Sequence, residues 1–227
     1  MEIYFARHAE AAWSVGGINI QDPELTELGR RQARLLARRL QAIGQWRELL
    51  ISPAIRVEET AQPIAAAVGL RPLVIPDLVE IQMPDWTGTP AETVEQVFRD
   101  ARHRPPEEWW KGLPGGETFR DFHDRVTSAM TKLLTERSVA PLPEGGPHLW
   151  EVAGDAGRIL IIAHGGTNAV ALGFLLGLDP TPWEWERFVS LHASLSRVQA
   201  MPLAGGHIFS LRSFSDAEHL TPEERTR

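Results

Sequence analysis

Two arginines, two histidines and a glutamate stand in this chain directly after apolar runs, where a packed core would reject them. Arg7 and His8 follow MEIYFA, Ser52-Pro53 and then Arg56 follow RELLI, Glu80 closes LVIPDLVE, and His164-Gly165-Gly166 follows ILIIA. In an open α/β sheet the ligand crevice lies beyond the carboxyl ends of the strands, so all of these groups would meet at one mouth. The set suits a phosphoryl group. Planar guanidinium forks make paired charge-assisted hydrogen bonds to phosphate oxygens, which gives Arg7 and Arg56 the task of holding a dianion. A neutral imidazole whose second nitrogen donates to a backbone carbonyl aims a lone pair outward, which makes His8 the candidate nucleophile at phosphorus. His164 would open a helix through Gly165 and Gly166, where free backbone N–H groups and the helix dipole favour an anion. Expelling an alkoxide needs a proton, and Glu80 is the carboxyl in the right loop to give it.

Each signal alone has a plainer reading. A single histidine after a strand is commonly a hydrogen-bonded structural residue, Arg56 and Glu59 could be an exposed helix pair, Glu80 a loop acid and His164 a turn residue. Their joint occurrence after four successive extended runs is what favours a site.

Those runs alternate with helical spacing. Leu28, Leu35, Leu36, Leu40 and Ile43 predict an amphipathic helix over 25–43, with Thr26 as N-cap and Gly44 as its stop. Further helices are expected over 54–70, 91–102, 118–137 and 167–176, and strands over 1–6, 47–53, 158–163, 197–202 and 207–213. Residues 72–81 read as extended, 104–117 as a surface loop, 138–157 as a long connection, and the charged tail from Asp216 as loose. The pattern implies an α/β fold, a three-layer α/β/α sandwich with a mostly parallel sheet. One domain over 1–215 is expected, with an insertion at 82–117 over one face and a tail at 216–227. The apolar stretch 159–178 is long enough to span a bilayer, but His164, Thr167, Asn168 and the glycine pair make strand, turn and helix the better reading.

The chain has 227 residues, 43% of them hydrophobic, and a net charge of -7, which argues against non-specific binding of nucleic acid or anionic membrane. An anionic ligand must then be held by a local cationic pocket. With no cysteine there is no disulfide framework, thiolate metal site or cysteine nucleophile, and a reducing cytoplasm fits. His103, His123, His148, His207 and His219 lack metal-ligand spacing. Trp13, Trp86, Trp109 and Trp110 are candidates for an apolar wall at the mouth, whereas Trp183 and Trp185 are expected to pack a corner of the fold.

RHAE (7–10), LTELGRRQA (25–33), SPAIRVEETA (52–61), LVEIQMPDWTG (78–88), GGETFRDFHDRV (115–126) and IIAHGGTNAVA (161–171) resemble, in order, the motifs of the histidine phosphatase superfamily, the phosphoglycerate-mutase-like enzymes. The resemblance implies a phosphohistidine at His8, phosphate binding by Arg7, Arg56 and His164, with Gly165 beside them, proton donation by Glu80, and neither metal nor cofactor. It implies a small phosphorylated metabolite as partner; oligomeric state is left open. The chain departs from the pattern at Ala9, where glycine is usual and a positive φ would strain alanine, at Ala11, at Pro84, and at Asn168, where arginine is frequent. Ser14 stands where an asparagine often touches the phosphate, so Ser14, or Asn19 in its place, is an expected contact. Hydrolysis of small phosphomonoesters is the favoured activity. A phosphoglycerate-type mutase, kept open by Arg99, Arg102 and Arg104, and a weakly active phospho-ligand binding module are the alternatives.

Overall fold

A computed structural model describes residues 1–142, 149–154 and 157–227. Its strands are β1 (Glu2–Arg7), β2 (Ser14–Val15), β3 (Ile18–Asn19), β4 (Trp46–Ile51), β5 (Leu73–Val74), β6 (Val139–Pro141), β7 (Trp150–Val152), β8 (Arg158–Ala163), β9 (Leu195–Leu203) and β10 (Gly206–Asp216). Its helices are α1 (Glu27–Ile43), α2 (Ile55–Val68), α3 (Ala91–Ala101), α4 (Pro106–Trp109), α5 (Phe119–Thr135), α6 (Gly165–Leu175) and α7 (Glu184–Arg187). Eight strands form one sheet in the order β5-β4-β8-β1-β9-β10-β7-β6. The half that ends at the site, β5-β4-β8-β1, is parallel; β9, β10, β7 and β6 extend it antiparallel.

Period-two alternation splits the strand side chains between two layers. Ile3, Phe5, Leu50, Ile159 and Ile161 pack with Phe122, Val126, Met130 and Leu134 of α5, while Tyr4, Leu49, Ile51, Leu160 and Ile162 pack with Leu36 and Leu40 of α1 and Ile64 of α2. This is the expected α/β/α sandwich. Thr26 caps α1 by accepting from Gly29 N–H, and the chain leaves α1 at Gly44 with φ 64°. The stretch read against a membrane span is β8 followed by α6, and among the described residues no helix is long and apolar enough to cross a bilayer.

Four local expectations need correction. Within 72–81 only Leu73–Val74 pairs in the sheet; Pro76 then starts a 3₁₀ turn, because proline has no N–H to extend the ladder. The surface loop 104–117 contains the single turn α4, opened by Pro106. The described parts of 138–157 include the short edge strands β6 and β7, whose brevity hid them; His148 lies outside the described residues. The charged tail is docked: Ala217 and Leu220 are buried, Thr221 and Glu224 form a capping box, and buried Gln32 donates to Glu224 O at 2.7 Å and to Thr226 Oγ1 at 3.1 Å. Its apolar and backbone groups reach inward and Glu224 is buried against Arg31, which net charge alone does not reveal.

Candidate active site

Register assembles the site. Arg7 lies opposite Ala163, and Ile51 opposite Ile162, so the residues just past these strand ends, His8, His164 and Ser52, emerge along one rim. The ladder runs one step further, with His8 N–H donating to Ala163 O at 2.9 Å and Ser52 N–H to Ile162 O at 3.1 Å. Ala9 N–H donates to Thr60 Oγ1 at 3.0 Å, and Thr60 donates to Arg56 O at 2.7 Å, which ties this loop to the first turns of α2. Ala9 is not among the residues with positive φ, so alanine is unstrained there.

His8 is 2% exposed, with Nδ1 2.8 Å from Ala9 O and Nε2 3.3 Å from Arg56 Nε. A carbonyl only accepts and a guanidinium only donates, so the ring is the neutral Nδ1–H tautomer, its lone pair on Nε2. Burial, then the charges of His164, Arg56, Arg7 and His192, hold its pKa well below 6.5. His164 is the mirror case: Nδ1 accepts from Arg56 Nη2 at 3.0 Å, leaving Nε2–H to donate to Ser52 Oγ at 2.7 Å. Burial and then Arg56 keep it neutral as well. The two rings are 5.3 Å apart between centroids.

Arg7 donates from Nη1 to Ser190 O at 2.7 Å, and its buried Nε has no partner among the described residues. Burial lowers its pKa to about 10, against the raising effect of Glu80, so it stays charged at neutral pH. Arg56 is 6% exposed: besides both histidines it donates from Nη1 to Asp22 Oδ1 at 3.0 Å, and its guanidinium carbon stands 4.6 Å from the Trp13 ring centroid.

Glu80 corrects one expectation. The first N–H groups of α6 are not free, because Glu80 accepts from Gly166 N–H at 2.8 Å and Thr167 N–H at 3.2 Å, and from Ile81 N–H at 3.0 Å. The anion-seeking helix terminus is filled by the protein's own carboxylate, which fixes where Glu80 points. Glycine is required at 166, since a Cβ there would fall 2.5 Å from Glu80 Oε1 and 2.9 Å from the Trp185 ring. Asn168 does not stand in for the frequent arginine at the cleft; it is buried and donates to Ala6 O at 3.1 Å.

Arg7, His8, Arg56, Glu80, Gly165 and Gly166 line a cleft of about 490 Å³. Trp183 and Trp185, expected in a corner of the fold, also line it while packing on Phe119. An adjoining lobe of about 640 Å³ shares Arg56 and Glu80 and is walled by Trp13, Trp86, Val94 and Phe98. Ser14 and Asn19, on the β2–β3 hairpin, line this lobe rather than the cleft, and Asn19 Nδ2 is committed to Trp86 O at 3.5 Å. Trp109 and Trp110 line neither; Trp109 donates to Arg104 O at 2.6 Å and Trp110 stacks under Arg120. Among the described residues no group of three or more His, Asp or Glu is placed to hold a metal.

Sequence reasoning missed Asp22, the charged partner of Arg56, and Arg227, which lines the cleft from the docked tail. No motif pointed to either. It placed Ser52 at the mouth, beside the Pro53 break, without giving it a role, and it did not count His192 among the site residues. His192 is buried, with its ring 5.5 Å from His8 and its Nδ1 2.9 Å from Thr226 Oγ1; burial and then Arg7 lower its pKa to about 3.

The model of the histidine phosphatase superfamily (branch 1) matches residues 3–140, a span that carries Arg7, His8, Arg56 and Glu80. The chain belongs to the histidine phosphatase superfamily. The "Probable phosphoglycerate mutase GpmB" of Yersinia enterocolitica is 30% identical over 237 aligned positions, covering 97% of this chain and 95% of that protein. In fold, this family member is similar to a mycobacterial glucosyl-3-phosphoglycerate phosphatase in complex with VO3 (TM-score 0.71, 24% identity, 95% of this chain and 99% of that one). It is also similar to the alpha-ribazole phosphatase of Shigella flexneri (TM-score 0.71, 20% identity, 96% and 97%).

Proposed function

We propose that the protein is a phosphomonoesterase that works through a phosphohistidine on His8 and needs no metal, acting on a small phosphorylated metabolite. The observation that carries this is the state of His8: a buried, neutral imidazole, its Nδ1–H anchored on Ala9 O and its Nε2 lone pair met by Arg56 beside Arg7. Arg56 Nε–H covers that lone pair. A phosphoryl oxygen accepting this N–H in place of the ring uncovers Nε2 at the distance of a bound anion.

In the first step His8 Nε2 forms a bond to phosphorus as the ester P–O bond breaks, and the leaving oxygen takes a proton from Glu80, which enters this step protonated and regains its proton from water in the second. Arg7 and Arg56 hold the equatorial oxygens and oppose the charge that develops on them. The ring keeps Nδ1–H on Ala9 O, so it becomes cationic on transfer and is a good leaving group. In the second step a water oxygen bonds to phosphorus, the P–N bond breaks, the water proton passes to Glu80, and inorganic phosphate departs. His164, tethered by Ser52, fixes one side of Arg56; a dianion in the cup opposes the arginine charges that keep this imidazole neutral.

A second reading, phosphoglycerate-type mutase, is favoured by the name that the 30%-identical relatives carry. It differs in one step: the phosphohistidine returns its group to the substrate rather than to water. The deciding experiment is rapid-quench labelling with a ³²P-phosphate ester in excess EDTA. An acid-labile label on His8 and stoichiometric inorganic phosphate support hydrolysis. Conversion of 3-phosphoglycerate to its 2-isomer with little phosphate release supports the mutase, and an unlabelled His8 during turnover overturns both.

A further inference from the structure

We propose that Arg102 and Arg227, held side by side by Glu186, form a second anion subsite at the outer end of the cleft. The preferred substrate is then a phosphomonoester whose organic part bears a further anionic group, a carboxylate or a second phosphate. This rests on the phosphoryl-transfer reading above.

Arg102, at the end of α3, donates from Nη2 to Glu186 Oε1 at 2.7 Å, and Arg227 donates from Nη2 to Glu186 Oε2 at 3.2 Å. The two guanidiniums share one side-chain carboxylate, and each keeps further N–H donors for an anion. All three residues line the cleft that holds Arg7 and His8. Arg227 is also near enough for its charge to act on Arg7. Arg227 is carried there by a fixed backbone: Thr226 O accepts from His192 N–H at 3.0 Å, and Thr226 Oγ1 is bonded to Gln32 and His192. Trp183, Trp185 and Phe188 line the same cleft and offer an apolar wall for the body of the ester. The arginines are 61% and 57% exposed, so their pairing with Glu186 adds little to folding, and in a chain of net charge -7 a cationic rim is not a general property of the surface.

The test compares n-propyl phosphate with 3-(phosphonooxy)propanoate, which adds a carboxylate, and with propane-1,3-diol bisphosphate, which adds a phosphate. Turnover gives kcat/KM, and calorimetric titration of the same esters gives binding. The wild-type preference for an acidic over the neutral ester is expected to be about tenfold or more, the size of one or two charge-assisted hydrogen bonds. It should fall towards unity in the Arg102→Gln, Arg227→Gln double variant and in wild type at high salt. The larger preference tells which anion the subsite takes. A wild-type ratio near one, or a ratio unchanged in the double variant, overturns the proposal. If no ester is hydrolysed, the hydrolytic reading fails while the binding ratio still decides the subsite.

Discussion

The inner cup and the outer wall of this cleft are built on opposite terms. In the cup, His8, Arg56 and His164 are at most 6% exposed, sit at strand ends or on the first turn of α2, and have their orientations fixed by several hydrogen bonds each. In the wall, Trp13, Arg102 and Arg227 are 43% to 61% exposed and stand on a hairpin loop, a helix end and the tail. Low dielectric and fixed dipoles give the cup its force on a developing charge, and they leave no freedom to adapt. The wall has freedom, and each of its contacts is correspondingly weak. Reaction chemistry should therefore be lost by single changes in the cup, and substrate choice should be shifted by changes in the wall.

The largest effect expected is that of His8→Ala. Without Nε2 no covalent intermediate forms, and the loss in kcat should exceed about a thousandfold, with the label absent from the quenched protein. Normal phosphate release by this variant would break the division at its centre.

Glu80→Gln comes next and separates its two roles. With an alkyl phosphate, loss of the proton donor should lower kcat by about 10² to 10⁴. Nitrophenolate leaves without a proton, so p-nitrophenyl phosphate should give a burst near one equivalent followed by slow turnover, because water then lacks its base. Stopped-flow absorbance reads both phases, and a linear trace at the wild-type rate would remove Glu80 from the chemistry.

Ser52→Ala should cost about tenfold in kcat. It removes the acceptor that His164 Nε2–H has among the described residues and leaves a buried donor unpaired, worth about 1–3 kcal/mol. Ser52→Thr should retain more activity than the alanine variant. Equal losses in both would assign the serine to packing rather than to positioning.

The cup also sets a stability limit. His8, His164, His192 and His219 all have folded pKa values below 6.5, with burial as the first cause in each. As pH falls through about 6.5, the unfolded chain takes up protons that the fold refuses, so stability falls with acid and is insensitive to these groups above about pH 7.5. The loss continues down to about 4 for His219 and about 3 for His192. Denaturant midpoints between pH 7.5 and 5 should show a slope of several protons, reduced by about one in His192→Asn. A flat profile would mean that these imidazoles titrate in the fold as they do in the unfolded chain, and that burial does not hold them neutral in acid.

The same division governs how much could be read from the sequence. Arg7, His8 and His164 were legible because a β-strand ending in charge is improbable by chance, and the parallel register that joins them follows from alternating strands and helices. Arg56 followed from its place one turn into α2. Asp22, Glu186 and Arg227 were not legible: their partners, Arg56, Arg102 and Glu186 in turn, lie far away in the chain, and no periodicity encodes such contacts. The free terminus expected for α6 failed for a related reason. A helix N-terminus attracts anions of any origin, and the sequence could not tell that Glu80 would supply one. Ser14 and Asn19 were placed by resemblance alone, and the Gly16–Gly17 turn carries them outward to the second lobe.

The smallest effect belongs to Trp13→Ala. Trp13 lies between the two lobes and covers one face of the Arg56 guanidinium, whose three nitrogens each bond a further side chain, to His8, Asp22 and His164. Removing the ring takes away a cation–π contact of about 0.5–1 kcal/mol at an exposed position and part of the wall, with the cup itself unchanged. KM should therefore rise about two- to fivefold with kcat nearly constant, and more for esters with an apolar body than for inorganic phosphate as an inhibitor. If kcat falls instead while KM holds, Trp13 positions Arg56 for the reaction, and the boundary between cup and wall lies one residue further out than exposure places it.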